Sequence, residues 1–224
     1  MTPYYETELG KLYHGDCLEI MPQLEPVDLV LTDPPYNASE TPSVCFDEKK
    51  YHAVNEDWDI GFRVDMLTDI PCKDLLVFCS FHLLVDYLSF AKPRQILHWH
   101  KVNPFPALNK FYNFSVEYIL WYASDNFVFN KKIAGKDMIQ TTICSGKERT
   151  KHPTQKPLSL IHHLIRVHSM IWYTILDPFI GSGTTAVACE RLNRRWIGIE
   201  ISEEYCEIAA KRIEQETRQL KLFA

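Results

Sequence analysis

Short apolar runs, each halted by proline, glycine or a polar cluster, alternate along this chain with stretches whose apolar residues recur at helical spacing. The first clear run, Val27-Asp28-Leu29-Val30-Leu31, has strand length and stops at Thr32-Asp33-Pro34-Pro35-Tyr36, where two prolines lack the N–H that further pairing needs. A strand therefore ends there and presents polar residues at its carboxyl end. Residues 37–59 are polar, acidic and poorly periodic and read as a long loop, a candidate mobile lid. The runs from Leu75 to Cys79 and from Ile96 to Trp99 read as buried strands flanking a helix from His82 to Phe90, and Ser115 to Tyr122 as a further strand. Between Ala123 and Lys151 the pattern weakens around Gly135 and Gly146, which predicts irregular structure.

The last third is sharper. Pro157 opens a predicted helix over 158–170, in which Leu160, Ile161, Leu164, Ile165 and His168 share one face. Ile175-Leu176 lead as a strand into Asp177-Pro178-Phe179-Ile180-Gly181-Ser182-Gly183. Thr184 to Leu192 then carry helix formers, and Arg195 to Glu200 form a second strand ending in an acid. Glu203 to Leu222 is a long charged helix with Ile208, Ala209, Ile213 and Leu220 for packing. Strands alternating with helices predict an α/β fold, an open and mostly parallel sheet with helices on both faces.

Composition narrows the class. With 46% of 224 residues hydrophobic, the chain supports one substantial core, and we expect a single domain over 1–224. No apolar run approaches the roughly 18 residues that span a bilayer, and the start lacks a basic-then-apolar leader, so a cytoplasmic protein away from membranes is expected. Seven cysteines, none spaced C-x-x-C, suit neither a disulfide framework nor zinc, and no metal is expected. The net charge of -5 is uneven: acids dominate from Asp16 to Asp59, whereas Lys92 to Lys156 is rich in lysine and arginine. A phosphate backbone could lie along that basic stretch, and an ordinary solvated face accounts for it equally well.

In a parallel open sheet, ligands bind at the carboxyl ends of strands. Gly181 and Gly183 permit a tight turn and close approach of a ligand, and Glu200 lies about 20 residues beyond the turn, as suits ribose hydroxyls. The chain has no G-x-G-x-x-G for a pyrophosphate and no phosphate-binding G-x-x-x-x-G-K-[ST], which favours a nucleoside cofactor without phosphates. Asp33-Pro34-Pro35-Tyr36 offers a carboxylate, a carbonyl fixed by proline and an aromatic ring, which suits a flat amine. Such an amine has its lone pair delocalised into the ring and is a poor nucleophile. Asp33 and the Pro34 carbonyl would accept its hydrogens while Tyr36 stacks on the base. A simple strand-ending turn is the alternative reading of these four residues.

The order of these motifs resembles that of the β-class DNA amino-methyltransferases, the permuted group that methylates adenine N6 or cytosine N4. Asp33 to Tyr36 looks like that family's catalytic motif and precedes Asp177 to Thr184, similar to its cofactor motif. His152-Pro153-Thr154-Gln155-Lys156-Pro157 lies between them, and Gly15-Asp16-Cys17 stands near the start. The resemblance implies a Rossmann-like class I methyltransferase sheet, S-adenosylmethionine as cofactor and DNA as partner. Asp33, Pro34, Pro35 and Tyr36 would be catalytic, with Asp33 also beside the cofactor. Asp16 and Cys17 would meet the cofactor adenine and Glu200 its ribose. Asp177, Pro178, Phe179, Gly181, Ser182, Gly183 and Thr184 would form the loop around the sulfonium, and Thr154, Gln155 and Lys156 would bind the carboxylate end.

Aspartate at position 33 favours adenine over the cytosine amine, where family members more often have serine. Trp99, Asn103 and Tyr112 are further candidates near the base. The family usually carries a large target-recognition insertion before the motif at His152, but here only residues 123–151 remain. We expect a reduced recognition region, or a homodimer whose second chain adds DNA contacts, in a protein encoded by a bacterium or its phage. Two other classes stay in play. A dinucleotide oxidoreductase is disfavoured by the missing third glycine, and a non-catalytic nucleic-acid-binding scaffold is separated from an enzyme by turnover.

Overall fold

The computed structural model describes residues 1–36, 64–67, 70, 72–106 and 112–223, so the expected lid at 37–59 lies outside the described residues. The strands are β1 (Tyr5–Glu6), β2 (Gly10–His14), β3 (Val27–Thr32), β4 (Cys72–Cys79), β5 (Gln95–Lys101), β6 (Val116–Ala123), β7 (Met138–Thr141), β8 (Thr174–Asp177) and β9 (Arg195–Glu200). The helices are α1 (Cys17–Ile20), α2 (Leu84–Phe90), α3 (Lys131–Ala134), α4 (Leu158–His168), α5 (Thr184–Leu192) and α6 (Glu203–Phe223). Among the described residues the strands form one sheet in the order β1-β2-β9-β8-β3-β4-β6-β5-β7. The pairs β2/β9, β9/β8, β8/β3, β3/β4 and β5/β7 are parallel, and β1/β2, β4/β6 and β6/β5 antiparallel. The sheet is thus mixed but mostly parallel, as the pattern predicts.

The two-residue period of the strands assigns the faces. Leu29, Leu31, Leu76 and Phe78 point into a core with Leu160, Ile161, Leu164 and Ile165 of α4, Ala186 to Cys189 of α5, and Ala209 and Ile213 of α6. Their neighbours Val30 and Val77 point the other way. Val30 packs with Cys17 and Ile20 of α1, and Val77 with Leu83 and with Tyr87 of α2. Both faces are covered, which is why the central strands are apolar on both sides.

Three details depart from the sequence reading. The strand β2 was not foreseen, because Gly10-Lys11-Leu12-Tyr13-His14 is short and half polar. It forms where Gly10 admits the Trp196 side chain against its backbone. Helix α4 stops at His168 rather than running to 170, and the Ser169 hydroxyl donates to the Ile165 carbonyl at 2.6 Å. The stretch 123–151 is not simply irregular. It contains α3, and β7 continues the sheet beside β5. That strand separates the basic residues: exposed Lys131, Lys132 and Lys136 precede it, whereas exposed Arg149 and Lys151 follow it at the opposite edge of the sheet.

Topology now sets up the site. Strands β2, β9, β8, β3 and β4 end on one edge, placing Asp16, Glu200, Asp177 and Asp33 near one another. Because β6 is reversed, its beginning at Glu117 reaches the same edge, and β5, reversed again, ends there at Lys101. Among the described residues no helix is long and apolar enough to cross a membrane.

Candidate active site

A cleft of about 360 Å³ opens at this edge, and it is lined by every residue assigned above to the catalytic and cofactor motifs except Gly183, but not by Trp99, Asn103 or Tyr112. Its volume falls within the usual range for sites of small organic ligands.

One wall is the turn between β8 and α5. Gly181 and Gly183 have φ of +51° and +80°, a left-handed backbone that other residues adopt at a cost. A Cβ on Gly181 would stand 2.7 Å from the His152 ring, and one on Gly183 would press on Ala209 of α6 at 2.9 Å. Gly183 therefore acts by packing the turn onto α6 rather than by lining the cleft. Arg212 braces the same turn, donating to the Ser182 carbonyl at 2.5 Å and the Thr184 hydroxyl at 3.2 Å. Glu200 holds the turn from the cleft side. One carboxylate oxygen accepts from the Gly181 N–H and the other from the Ser202 N–H, both at 2.9 Å, which leaves lone pairs for hydroxyl donors.

Asp177 is the knot behind the turn. Its carboxylate accepts from Thr185 Oγ1 at 2.6 Å, Thr32 Oγ1 at 3.1 Å and the Phe179 N–H at 3.2 Å, tying β8 to β3 and α5. Burial nevertheless pushes its carboxyl up to about 7, against the opposing effect of those donors. The linkage has a definite sign. Between the ordinary aspartate range and pH 7 the folded chain binds a proton that the unfolded chain has lost, so Asp177 makes stability fall as pH rises through that window. The expected slope is about 1.4 kcal/mol per pH unit. Urea unfolding at pH 5 and pH 7 should show this loss in the native protein and a smaller one in Asp177→Asn. Equal losses in the two proteins would rule the linkage out.

At the start of the chain, Asp16 caps α1 by accepting from the Leu18 N–H at 2.8 Å, and the Gly15 N–H donates to the Glu200 carbonyl at 2.9 Å. These contacts bring Asp16 and Cys17 to the Glu200 side of the cleft. The Cys17 thiol is pushed up to about 11 by burial, aided by Asp16, and stays protonated at neutral pH.

The opposite wall is the end of β3. Tyr36 donates its hydroxyl proton to Asp33 Oδ1 at 2.7 Å, and the Lys156 ammonium donates to Asp33 Oδ2. Lys156 also faces Glu117 Oε2 at 3.4 Å and lies 5.0 Å from the Phe78 ring centroid. Burial raises the proton affinity of Asp33, Lys156 offsets part of that effect and Glu117 adds to it, leaving the carboxyl above its ordinary range. Tyr36 stays a neutral phenol, pushed well up by burial and by the adjacent carboxylates.

Thr154, Gln155 and Lys156 all line the cleft, and the side chains of the last two are engaged by the protein itself. The Gln155 amide is engaged within its own loop, accepting from Thr150 N and Oγ1 at 2.9 Å and donating to the Glu148 carbonyl at 2.8 Å. Lys156 points at Asp33. Thr154 lines the cleft, and so does His152, whose ring lies 4.5 Å from that of Tyr205. Phe78, Glu117 and Tyr205 were not identified from the sequence. Of the residues named near a base, Trp99 is buried with its indole N–H donating to Thr141 at 2.7 Å, and Asn103 accepts from the Ile143 N–H at 2.9 Å. Tyr112 is 97% exposed.

The chain is similar in sequence and in fold to known proteins. A family model for DNA methylases of the N6/N4 type matches residues 27–211. The type II methyltransferase M2.LlaDCHI of Lactococcus lactis subsp. cremoris is 32% identical, covering 94% of this chain and 91% of that protein. M2.DpnII of Streptococcus pneumoniae is 31% identical over 96% of this chain and 93% of its own length. The first alignment runs over 252 positions, more than the 224 residues here, so that relative carries residues this chain lacks. Among solved structures, the complex of M1.HpyAVI with SAM superposes with a TM-score of 0.69 at 31% identity, covering 91% of this chain and 100% of that one. The PvuII cytosine-N4-specific methyltransferase shares the fold with a TM-score of 0.73 at 19% identity, over 97% of this chain and 94% of that one. On these matches, which span nearly the whole chain, the protein belongs to the N6/N4 DNA methylase family.

Proposed function

We propose that this protein transfers the methyl group of S-adenosylmethionine to the N6 amine of an adenine flipped out of DNA. The observation that carries the reading is the single cleft in which the Gly181 turn with Glu200 faces Asp33 and Tyr36. The residues fit the cofactor. Glu200 has free lone pairs for ribose hydroxyls, Asp16 and Phe179 border a space for its adenine, and the Gly181 turn lines the cleft where the sulfonium would lie. The cofactor supplies an electrophilic methyl carbon.

Asp33 and the Pro34 carbonyl accept the two amine hydrogens and turn the nitrogen lone pair toward that methyl. Tyr36 supplies a ring for the base to stack on. With the cofactor bound, the amine nitrogen held by Asp33 would take the methyl group as its bond to sulfur breaks, leaving a neutral thioether, and the cationic amine would lose one proton through the Asp33 carboxylate to solvent. Alignment of the two reactants in one cleft provides much of the acceleration, and extruding the base costs a few kcal/mol.

Arg149 and Lys151 lie on the cleft side of β7 and are assigned to DNA phosphates, whereas Lys131 and Lys132 face away. Replacing Arg149 and Lys151 together by alanine should lower the slope of log affinity against log salt by about two. The same change at Lys131 and Lys132 should leave it unaltered, and the reverse pattern would move the DNA path to the other edge. With so short a recognition segment, the reading includes a homodimer acting on DNA in the cytoplasm.

Incubation with S-adenosylmethionine and unmethylated DNA, followed by nucleoside mass spectrometry, tests the proposal. N6-methyladenine is expected. N4-methylcytosine would reassign the base, and an unmodified digest across several DNAs from folded, cofactor-binding protein would defeat the proposal.

A further inference from the structure

Asp33 is asked to accept a hydrogen from an amine that becomes cationic during transfer, yet its Oδ2 already holds the Lys156 ammonium. Left there, that charge weakens the carboxylate as an acceptor and repels the developing positive charge. A second carboxylate is within reach. Glu117, at the beginning of β6, has a side chain only 17% exposed, and its Oε2 stands 3.4 Å from Lys156 Nζ. Its Oε1 is held by Lys101 at 2.5 Å, and the Tyr36 hydroxyl lies 3.4 Å from Oε2. Two carboxylates and two ammoniums thus form a row: Asp33, Lys156, Glu117, Lys101. Burial would push Glu117 up, but the flanking lysines outweigh that effect and keep it ionised. A shift along the unbranched lysine side chain would move the ammonium from Asp33 to Glu117, leaving the Asp33 carboxylate with the Tyr36 hydroxyl and open to the incoming amine.

We infer that Glu117 is a positioning residue, the alternative seat to which Lys156 moves so that Asp33 can receive the target amine. The inference rests on the proposed role of Asp33 as amine acceptor. Asp33 is faced by Lys156 from the segment before α4, by Glu117 of β6 and Asp177 of β8, and by Tyr36 and Tyr87. Lys101 acts on it through Glu117.

The two neighbours of Lys156 should respond oppositely. In Glu117→Gln the lysine is committed to Asp33 and a negative charge is lost, so the acid limb of the kcat–pH profile moves to lower pH. The kcat/KM for DNA should fall about tenfold or more, with cofactor affinity within about twofold of the native value. In Lys101→Met, Glu117 loses its competing partner and draws Lys156 away, so the acid limb moves to higher pH. A general structural disturbance would not produce shifts of opposite sign. Native-like kinetics in Glu117→Gln, an equal loss of cofactor affinity, or acid limbs that do not separate would overturn the inference. Where Glu117→Gln turns over too slowly for a profile, the Lys101→Met limb decides, since an unmoved or lowered limb is equally contrary. Asp33→Ala run in parallel separates the two levels. Normal turnover there removes the reading of Asp33, whereas an inactive Asp33→Ala beside a native-like Glu117→Gln removes only the role of Glu117.

Discussion

Replacing Asp33 with alanine is expected to lower methyl transfer to DNA by about 10³-fold, within the range found for loss of a positioned acid–base group. The dissociation constant of S-adenosylmethionine should change little. Asp33 hydrogen-bonds to Tyr36 and Lys156 rather than to the Gly181 turn or Glu200. Asp33→Asn should fall nearly as far, because the amide presents an NH₂ where the base amine also donates. Single-turnover assays at saturating cofactor isolate the effect. Activity within tenfold of native in both variants would take the carboxylate out of the chemistry.

Glu200→Ala is expected to weaken cofactor binding about 100-fold, measured by titration calorimetry. Hydrogen bonds to a charged acceptor contribute about 1.5–3 kcal/mol each, and a ribose offers two hydroxyls. The same change also frees the Gly181 and Ser202 N–H groups that Glu200 holds at 2.9 Å, so part of the loss comes from a loosened turn. Glu200→Gln tests that division. Its amide keeps one acceptor oxygen but turns an NH₂ toward a backbone donor, and an affinity between native and alanine is expected. Native affinity in Glu200→Ala would locate the ribose elsewhere.

The parts of the molecule that were legible in the sequence share a cause. Around β3, β8 and β9 the apolar runs are continuous, the breaks fall at proline and glycine, and the chemistry sits immediately after each strand. There, local pattern and global position agree. Helix α4 was equally plain because Leu160, Ile161, Leu164 and Ile165 bury against the sheet at helical spacing. Glu117 was hidden for a topological reason. The rule that sites form at carboxyl ends of strands overlooks the first residues of an antiparallel strand, and the reversal of β6 brings its beginning to the cleft. Lys156 could be placed in a motif but not given a partner, since its neighbours Asp33 and Glu117 are 123 and 39 positions away in the chain. The basic stretch 123–151 misled as one unit because four residues of edge strand, Met138–Thr141, carry its two halves to opposite edges of the sheet. Neither β2 nor β7 has an apolar run of its own. Each is recruited by pairing with a stronger neighbour, β9 or β5.

The central claim is that one cleft brings a cofactor methyl to the carboxylate that receives the base. A crystal structure with S-adenosylmethionine bound tests it most directly. The account predicts the ribose hydroxyls on Glu200, the sulfonium beside the Gly181 turn, and the methyl directed across the cleft at Asp33. A cofactor bound outside this cleft, or one seated in it with the methyl turned away from Asp33, would contradict the account.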